Sequence, residues 1–308
     1  MSRPRSLKPK RNVAARVLET ARGAFAAVEG APQLEEKGTA LLVPGFTGSK
    51  EDFLDLMEPL TAAGYRVVAV DGRGQHESPG PRDETAYAQA ELAADLLAQT
   101  DTVAAGSGGR PLHVLGHSFG GHVVRAAALS LPAGAPLPYT SLTLMSSGPA
   151  AISEQQQVRT QLLIDHLPTM DMETAWQAMR AMDAQVAEDG TAAQPADPDW
   201  LEEFLHRRWV TTVPEQLIAT ARQLMTESDR VAELAALPVP TLVLSGEVDY
   251  AWPVPWLDEM AVRLGARRVV IKGAEHSPNA ERPAQTAAAL IDFWTDAERR
   301  GGNSLTGE

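Results

Sequence analysis

Cysteine is absent from all 308 residues. That removes disulfides, thiolate nucleophiles and Cys-ligated zinc or iron–sulfur sites together, and it makes a reducing cytoplasm an admissible and expected location. Cations are scarce relative to anions, with 27 Lys plus Arg against 40 Asp plus Glu and a formal charge of -13. A molecule of that sign repels phosphate backbones, whose capture needs clustered cations, so nucleic acid is not an expected partner. No run reaches the roughly 18 apolar residues that a membrane-spanning helix requires. No H-E-x-x-H, no P-loop and no G-x-G-x-x-G between a strand and a helix occurs, so neither a metal nor a nucleotide cofactor is expected. Aromatic residues make up only 5% of the chain, so the position of each one is informative.

What is present is an ordinary apolar fraction of 44%, arranged in a recognisable order. The first eleven residues are basic (Arg3, Arg5, Lys8, Lys10, Arg11), but no apolar segment with a small-residue cleavage site follows, and they read as a solvated tail. Over residues 13–28 the apolar positions Val13, Val17, Leu18, Ala21 and Phe25 predict an amphipathic helix, ended by Gly30, Ala31 and Pro32. Six short runs then stand out, at 40–43, 67–70, 112–115, 142–145, 241–244 and 269–271, apolar at consecutive rather than alternate positions. Such runs are the pattern of strands buried on both faces of a parallel sheet. Helical patterns at 53–63, 85–98, 121–131 and 255–264 lie between them, which is the alternation of a doubly wound α/β domain. From about 149 to 237 no strand run occurs, and Ala, Gln, Glu, Met and Trp recur at helical spacing, predicting an inserted helical cap. The expected division is a tail and helix over 1–39, a core over 40–148 and 238–300, a cap over 149–237 and a flexible tail over 301–308.

The run at 112–115 is followed by Gly116, His117, Ser118, Phe119 and Gly120, and then by a helix carrying Val123, Val124 and Ala127. Strand, G-x-S-x-G and helix in succession are the setting of a nucleophile elbow, in which small residues let strand and helix approach and the serine hydroxyl projects at the carboxyl end of the sheet. A serine hydroxyl at neutral pH needs an imidazole base, itself oriented by a carboxylate. The run at 241–244 leads into Ser245, Gly246, Glu247, Val248 and Asp249, placing Asp249 on the same rim as Ser118. The run at 269–271 leads into Lys272, Gly273, Ala274, Glu275 and His276. Glu247 and Glu275 are nearby acids, but loop glutamates are usually solvated, and the loop after Met145 (Ser146, Ser147, Gly148, Pro149) offers no carboxylate. Of seven histidines, His113 lies within a strand run, His117 and His122 flank the elbow, His166 and His206 fall in the expected cap, and His276 is in the loop that follows a core strand. The candidate set is therefore Ser118, Asp249 and His276, in the chain order Ser, Asp, His.

In these motifs the chain resembles the α/β-hydrolase superfamily, from about Ala40 to Glu298, in its serine-nucleophile esterase and lipase-like branch. The resemblance implies a mostly parallel sheet with an inserted helical cap. It also implies that the loop Pro44, Gly45, Phe46, Thr47, Gly48 supplies half of an oxyanion hole, with the N–H groups of Phe46 and Phe119 as donors. Pro44 stands where the family usually has histidine. After Val70 the chain reads Asp71, Gly72, Arg73, Gly74, Gln75, His76, Glu77, Ser78, similar to the family turn D-x-R-G-x-G-x-S, with His76 where glycine is usual.

Family membership does not fix the reaction. Aspartate at the elbow would point to dehalogenase or epoxide hydrolase chemistry. Serine points instead to acyl transfer: hydrolysis of a carboxylic ester, with thioesters, lactones, amides and carbon–carbon bonds as variants, or a ligand-binding protein on a hydrolase scaffold as the alternative. Five of nine methionines and three of six tryptophans fall between Met170 and Met225. Adaptable thioethers and flat rings suit a pocket for a small apolar acyl substrate, and Trp176, Met179, Trp209 and Trp252 are the expected lining, with packing of a helical bundle as the alternative role.

Overall fold

Alternate residues of each apolar run face opposite sides of the sheet, which is why both faces need cover. In the computed structural model, which describes residues 1–8, 10–132, 134–188 and 197–304, eight strands form one sheet. They are β1 (Val13–Thr20), β2 (Gly23–Gly30), β3 (Gly38–Val43), β4 (Tyr65–Val70), β5 (Leu112–His117), β6 (Ser141–Met145), β7 (Thr241–Gly246) and β8 (Arg267–Ile271). Their order is β1-β2-β4-β3-β5-β6-β7-β8. From β4 to β8 the pairs are parallel, whereas β1 with β2 and β2 with β4 are antiparallel. The fold is thus the mostly parallel α/β-hydrolase sheet with flanking helices.

The helices are α1 (Leu54–Ala62), α2 (Gln89–Ala105), α3 (Phe119–Ser130), α4 (Glu154–His166), α5 (Met172–Glu188), α6 (Asp199–Thr211), α7 (Pro214–Thr226), α8 (Val231–Ala235), α9 (Val254–Leu264), α10 (Pro278–Glu281) and α11 (Pro283–Ser304). Leu41 and Val43 of β3 pack with α2, α3 and α9 on one face, while Ala40 and Leu42 pack with α1 and α11 on the other. Each such side chain is almost wholly withdrawn from water, which contributes roughly 1.5–3 kcal/mol for a Val or Leu. The rigid product is a rim, at the carboxyl ends of the parallel strands, from which the loops of interest leave.

Residues 13–28 are not a helix. They form most of the β1–β2 hairpin, registered Thr20 to Gly23, with Gly23 at φ +118° and the Thr20 hydroxyl donating to the Gly23 carbonyl at 2.8 Å. A short apolar run fits either period, and the turn residue Gly23 decides it: once the chain reverses there, Ala27–Gly30 pairs with β4 and closes that side of the sheet. The basic tail is also docked rather than solvated. Ser2 is buried, its carbonyl accepts from Arg208 at 2.7 Å and its hydroxyl lies 2.9 Å from that of Ser277, while Lys10 pairs with Asp55 at 3.0 Å. At the other end α11 continues to Ser304, so the flexible segment expected from 301 is helical at its start, and 305–308 lie outside the described residues.

Between β6 and β7 the chain is helical, as the composition suggests, although 189–196 of that stretch lie outside the described residues. Helices α4 to α7 share a core of their own built on Ile164, Trp176, Phe204, Trp209 and Leu217. Helix α8 instead packs on the sheet face through Val231 and Leu234. A buried ion pair, Arg208 to Asp52 at 2.7 Å, fastens α6 to the loop after β3.

Candidate active site

Ser118 leaves β5 at φ 54°, ψ -121°, a region that non-glycine residues adopt only under strain, and it caps α3. The surrounding glycines explain how the turn fits. A Cβ on Gly116 would collide with the carbonyl of Gly120, one on Gly120 with the carbonyls of Val43 and Pro44, and one on Gly45 would lie 3.0 Å from the Ser118 Cβ. The Ser118 N–H donates to the Met145 carbonyl at 2.8 Å, locking the turn to β6. Strand, loop and helix are thereby pressed together, and the hydroxyl is held at the rim.

The loops after β7 and β8 bring Asp249 and His276 to it. His276 Nε2 lies 3.0 Å from Ser118 Oγ, and His276 Nδ1 lies 3.0 and 2.9 Å from the two Asp249 oxygens. All three residues are buried. Asp249 Oδ1 also accepts the N–H groups of Ala251 and Trp252, at 2.9 and 3.0 Å, which orients the carboxylate. With Asp249 as acceptor, Nδ1 carries the ring proton and Nε2 presents its lone pair to the serine. Glu247 faces elsewhere: its Oε2 accepts from the Gly273 N–H at 2.6 Å, tying the two loops together. Glu275 is exposed.

The N–H groups of Phe46 and Phe119 donate to no acceptor among the described residues. Gly45 and Phe46 are buttressed from behind by Gln75, whose amide donates to their carbonyls at 2.6 and 3.4 Å. Three neighbours carry no obvious sequence signal. Gln75 belongs to the turn after β4, far from the elbow in sequence. His117 donates from Nε2 to the His276 carbonyl at 2.9 Å. The Tyr250 ring lies 4.8 Å from that of His276, centroid to centroid. Their roles depend on loop proximity, which only the folded chain reveals.

The expected lining residues separate into two groups. Trp252 is fully buried, donates to the Ala150 carbonyl at 2.8 Å and stacks near His276 at 6.2 Å. Trp176 and Trp209 lie in the core shared by α4 to α7, Met179 packs against that core, and Trp209 donates to the Met172 carbonyl at 2.8 Å. Trp176, Met179 and Trp209 thus take part in the packing of the helical bundle, the alternative role that their composition allowed. Phe46, by contrast, touches both the sheet core and the helical core.

Several imidazoles, two beside this rim (His117 and His122) and one at the opposite end of β5 (His113), are buried in the neutral state. Burial, reinforced by the neighbouring His276, pushes His117 down to about 3, burial beside Arg125 pushes His122 well below the usual 6.5, and burial lowers His113 despite the Glu298 carboxylate. The unfolded chain binds these protons near pH 6.5 and the folded chain does not, so stability is fully present above that pH and is lost as pH falls below it, for His117 down to about 3. Each group contributes a slope of about 1.4 kcal/mol per pH unit within the window. Urea unfolding measured from pH 7 to 4 is expected to show a steep fall, and His122→Phe, which keeps a ring between Phe119 and Trp252, to make it shallower; an unchanged slope in the variant would contradict the assignment.

The chain matches the alpha/beta hydrolase family over residues 40–289. It is similar to Epoxide hydrolase A of Mycobacterium tuberculosis, 26% identical over 84% of this chain and 91% of that one. Among solved structures it is similar to a bacterial membrane phospholipase A (24% identical, TM-score 0.70, 93% of this chain and 87% of that chain). It is similar also to an esterase from Exiguobacterium antarcticum (18% identical, TM-score 0.71, 92% and 100%). At these identities the solved structures speak for the fold alone. No helix among the described residues is long and apolar enough to cross a membrane.

Proposed function

The chain belongs to the alpha/beta hydrolase family, and from that footing we propose that it is a cytoplasmic serine hydrolase cleaving a carboxylic ester of a small, apolar acid through an acyl-enzyme. The observation that carries this reading is the line of contacts from Ser118 Oγ through His276 to Asp249. His276 Nε2 takes the Ser118 proton as Oγ adds to the ester carbonyl. The oxyanion is held by the N–H groups of Phe46 and Phe119, each such donor contributing about 10²–10³ in rate. Imidazolium, steadied by Asp249, returns the proton to the departing alcohol. Water, activated by the same Nε2, then adds to the acyl carbonyl and releases the acid and free Ser118. The helices between β6 and β7 act as a cap, and Phe46, Tyr250 and Trp252 are the side chains nearest the acyl group.

Serine also bears on the epoxide reading suggested by the similarity to Epoxide hydrolase A. Opening an epoxide with Ser118 would leave an alkyl ether, which has no carbonyl for water to attack, so the enzyme would stop after one turn. Esters, thioesters, lactones and amides all regenerate the serine.

A panel of p-nitrophenyl esters from acetate upward, run beside styrene oxide, tests the reading. Turnover of esters and none of the epoxide is expected, with kcat/KM rising up to about fourfold for each buried methylene, from about 0.8 kcal/mol, until the pocket ends. Turnover of the epoxide alone would overturn the proposal. A single burst without turnover would favour a ligand-binding role.

A further inference from the structure

The turn after β4 contains a second polar cluster, outside the site above. His76 sits there at φ 44°, in the left-handed region that favours glycine, and is nevertheless buried, 4% exposed. Its Nδ1 lies 2.9 Å from the Thr211 hydroxyl, which donates its own proton to the Arg207 carbonyl at 2.9 Å. Nδ1 therefore carries the ring proton, and Nε2 is a bare lone pair. That Nε2 has no hydrogen-bond partner, nor has the buried Oε2 of Glu51. Glu77 Oε1 lies 3.9 Å from it. Ligand atoms from Glu51, His76 and Glu77 all fall within 4.8 Å of one another. Acceptors turned towards one another in this way repel unless a cation stands between them.

Lys50 meets part of that demand, but through other oxygens. Its ammonium contacts Glu51 Oε1 at 2.8 Å, Asp71 Oδ2 at 2.9 Å and Glu77 Oε2 at 2.8 Å. One ammonium among three carboxylates leaves two negative charges, and the adjacent Arg208 is matched by Asp52. We propose that Glu51, His76 and Glu77 bind a divalent transition-metal ion, with Zn²⁺ the best match to one imidazole nitrogen and two carboxylate oxygens. Glu77 is half exposed, at 53%, and gives the ion its entry path and room for water ligands. Zn²⁺ holds its donors about 2.0–2.2 Å away, so the three atoms close slightly around it, led by the half-exposed Glu77 side chain. No motif spacing announces such a site, because Glu51 comes from the loop after β3 and the other two from the turn after β4.

The place of the site gives the ion a structural role. The neighbouring Gln75 supports the Gly45–Phe46 loop, while the His76 N–H donates to Thr212 Oγ1 at 3.2 Å and the Val213 N–H to the Gly74 carbonyl at 2.8 Å. Fixing this turn fixes the oxyanion loop against the α6–α7 junction.

Calorimetric titration of ZnCl₂ into the chelator-stripped full chain, paired with thermal unfolding, tests the proposal. One Zn²⁺ per chain and a Tm raised by several degrees at saturation are expected, since an ion bound only by the folded state stabilises it. His76→Gly suits the positive φ but empties the buried ring site beside Phe204, so its metal-free Tm is expected to fall, while Zn²⁺ binding measured below that Tm weakens about 100-fold or more, beyond the loss of an outer-shell partner. Glu77→Gln is expected to weaken binding about tenfold or more. His206→Gln, at the exposed His206–Glu173 pair, should leave it unchanged. Absence of saturable Zn²⁺ binding, binding undiminished in His76→Gly, or loss in His206→Gln would each overturn the assignment.

Discussion

Ser118→Ala is expected to abolish covalent labelling by a fluorophosphonate and to lower ester turnover by about 10⁵–10⁶, leaving only what the oxyanion donors and binding contribute. The size follows from geometry. Ser118 Oγ is the hydroxyl that lies 3.0 Å from His276 Nε2 and projects from a strained turn, and no neighbour repeats that arrangement: Ser147 is packed against Gly121, and the Ser146 hydroxyl has no hydrogen-bond partner. The variant should fold at least as well as the parent, because removing one hydroxyl leaves the φ and the flanking glycine contacts unchanged. Intact-mass analysis with peptide mapping checks both halves of the expectation. A label on Ser146 or Ser147, or undiminished labelling in the variant, would remove Ser118 from its role.

How much of this was legible in the sequence depends on whether a residue's neighbours are local. Ser118, Asp249 and His276 each follow a core strand by a few residues, and a parallel sheet sends all such loops to one rim, so strand runs plus turn residues are enough to bring the three together. The β1–β2 hairpin was not legible, because Val13, Val17 and Leu18 satisfy a helical period and only pairing of Ala27–Gly30 with β4 outweighs it. The tail was misread for a similar reason: its cations find Asp55 and its backbone finds Arg208, partners distant in sequence. Composition placed Trp176 and Trp209 in a helical insert correctly but carried no information on which way they face. In the fold they pack in the core shared by α4 to α7, and the aromatic rings beside His276 are those of Tyr250 and Trp252. The Glu51, His76 and Glu77 cluster was hidden by the same limit, since two loops must meet before its donors do.

Asp249→Asn is the second large effect expected, a loss of about 10⁴ in kcat with the fold intact. Both Asp249 oxygens lie within 3.0 Å of His276 Nδ1, and Oδ1 also accepts two backbone N–H groups. Asparagine can keep the backbone contacts only by leaving its carbonyl oxygen on Ala251 and Trp252, which turns its NH₂ group towards Nδ1. A donor there forces the imidazole proton to Nε2, the atom that must accept from Ser118, so the base is present in the wrong tautomer. The charge that steadies imidazolium during transfer is lost in the same change. Glu247→Gln provides the contrast. Its carbonyl oxygen can still accept from the Gly273 N–H, and it has no contact with the imidazole, so kcat should stay within about twofold, the range of a surface change of roughly 0.5 kcal/mol. Steady-state kinetics on both variants, with circular dichroism to show that each is folded, distinguishes the two acids. If Glu247→Gln were the crippled enzyme and Asp249→Asn the active one, the loop after β7 would have to rearrange on substrate binding, and Glu247 would take the place beside His276.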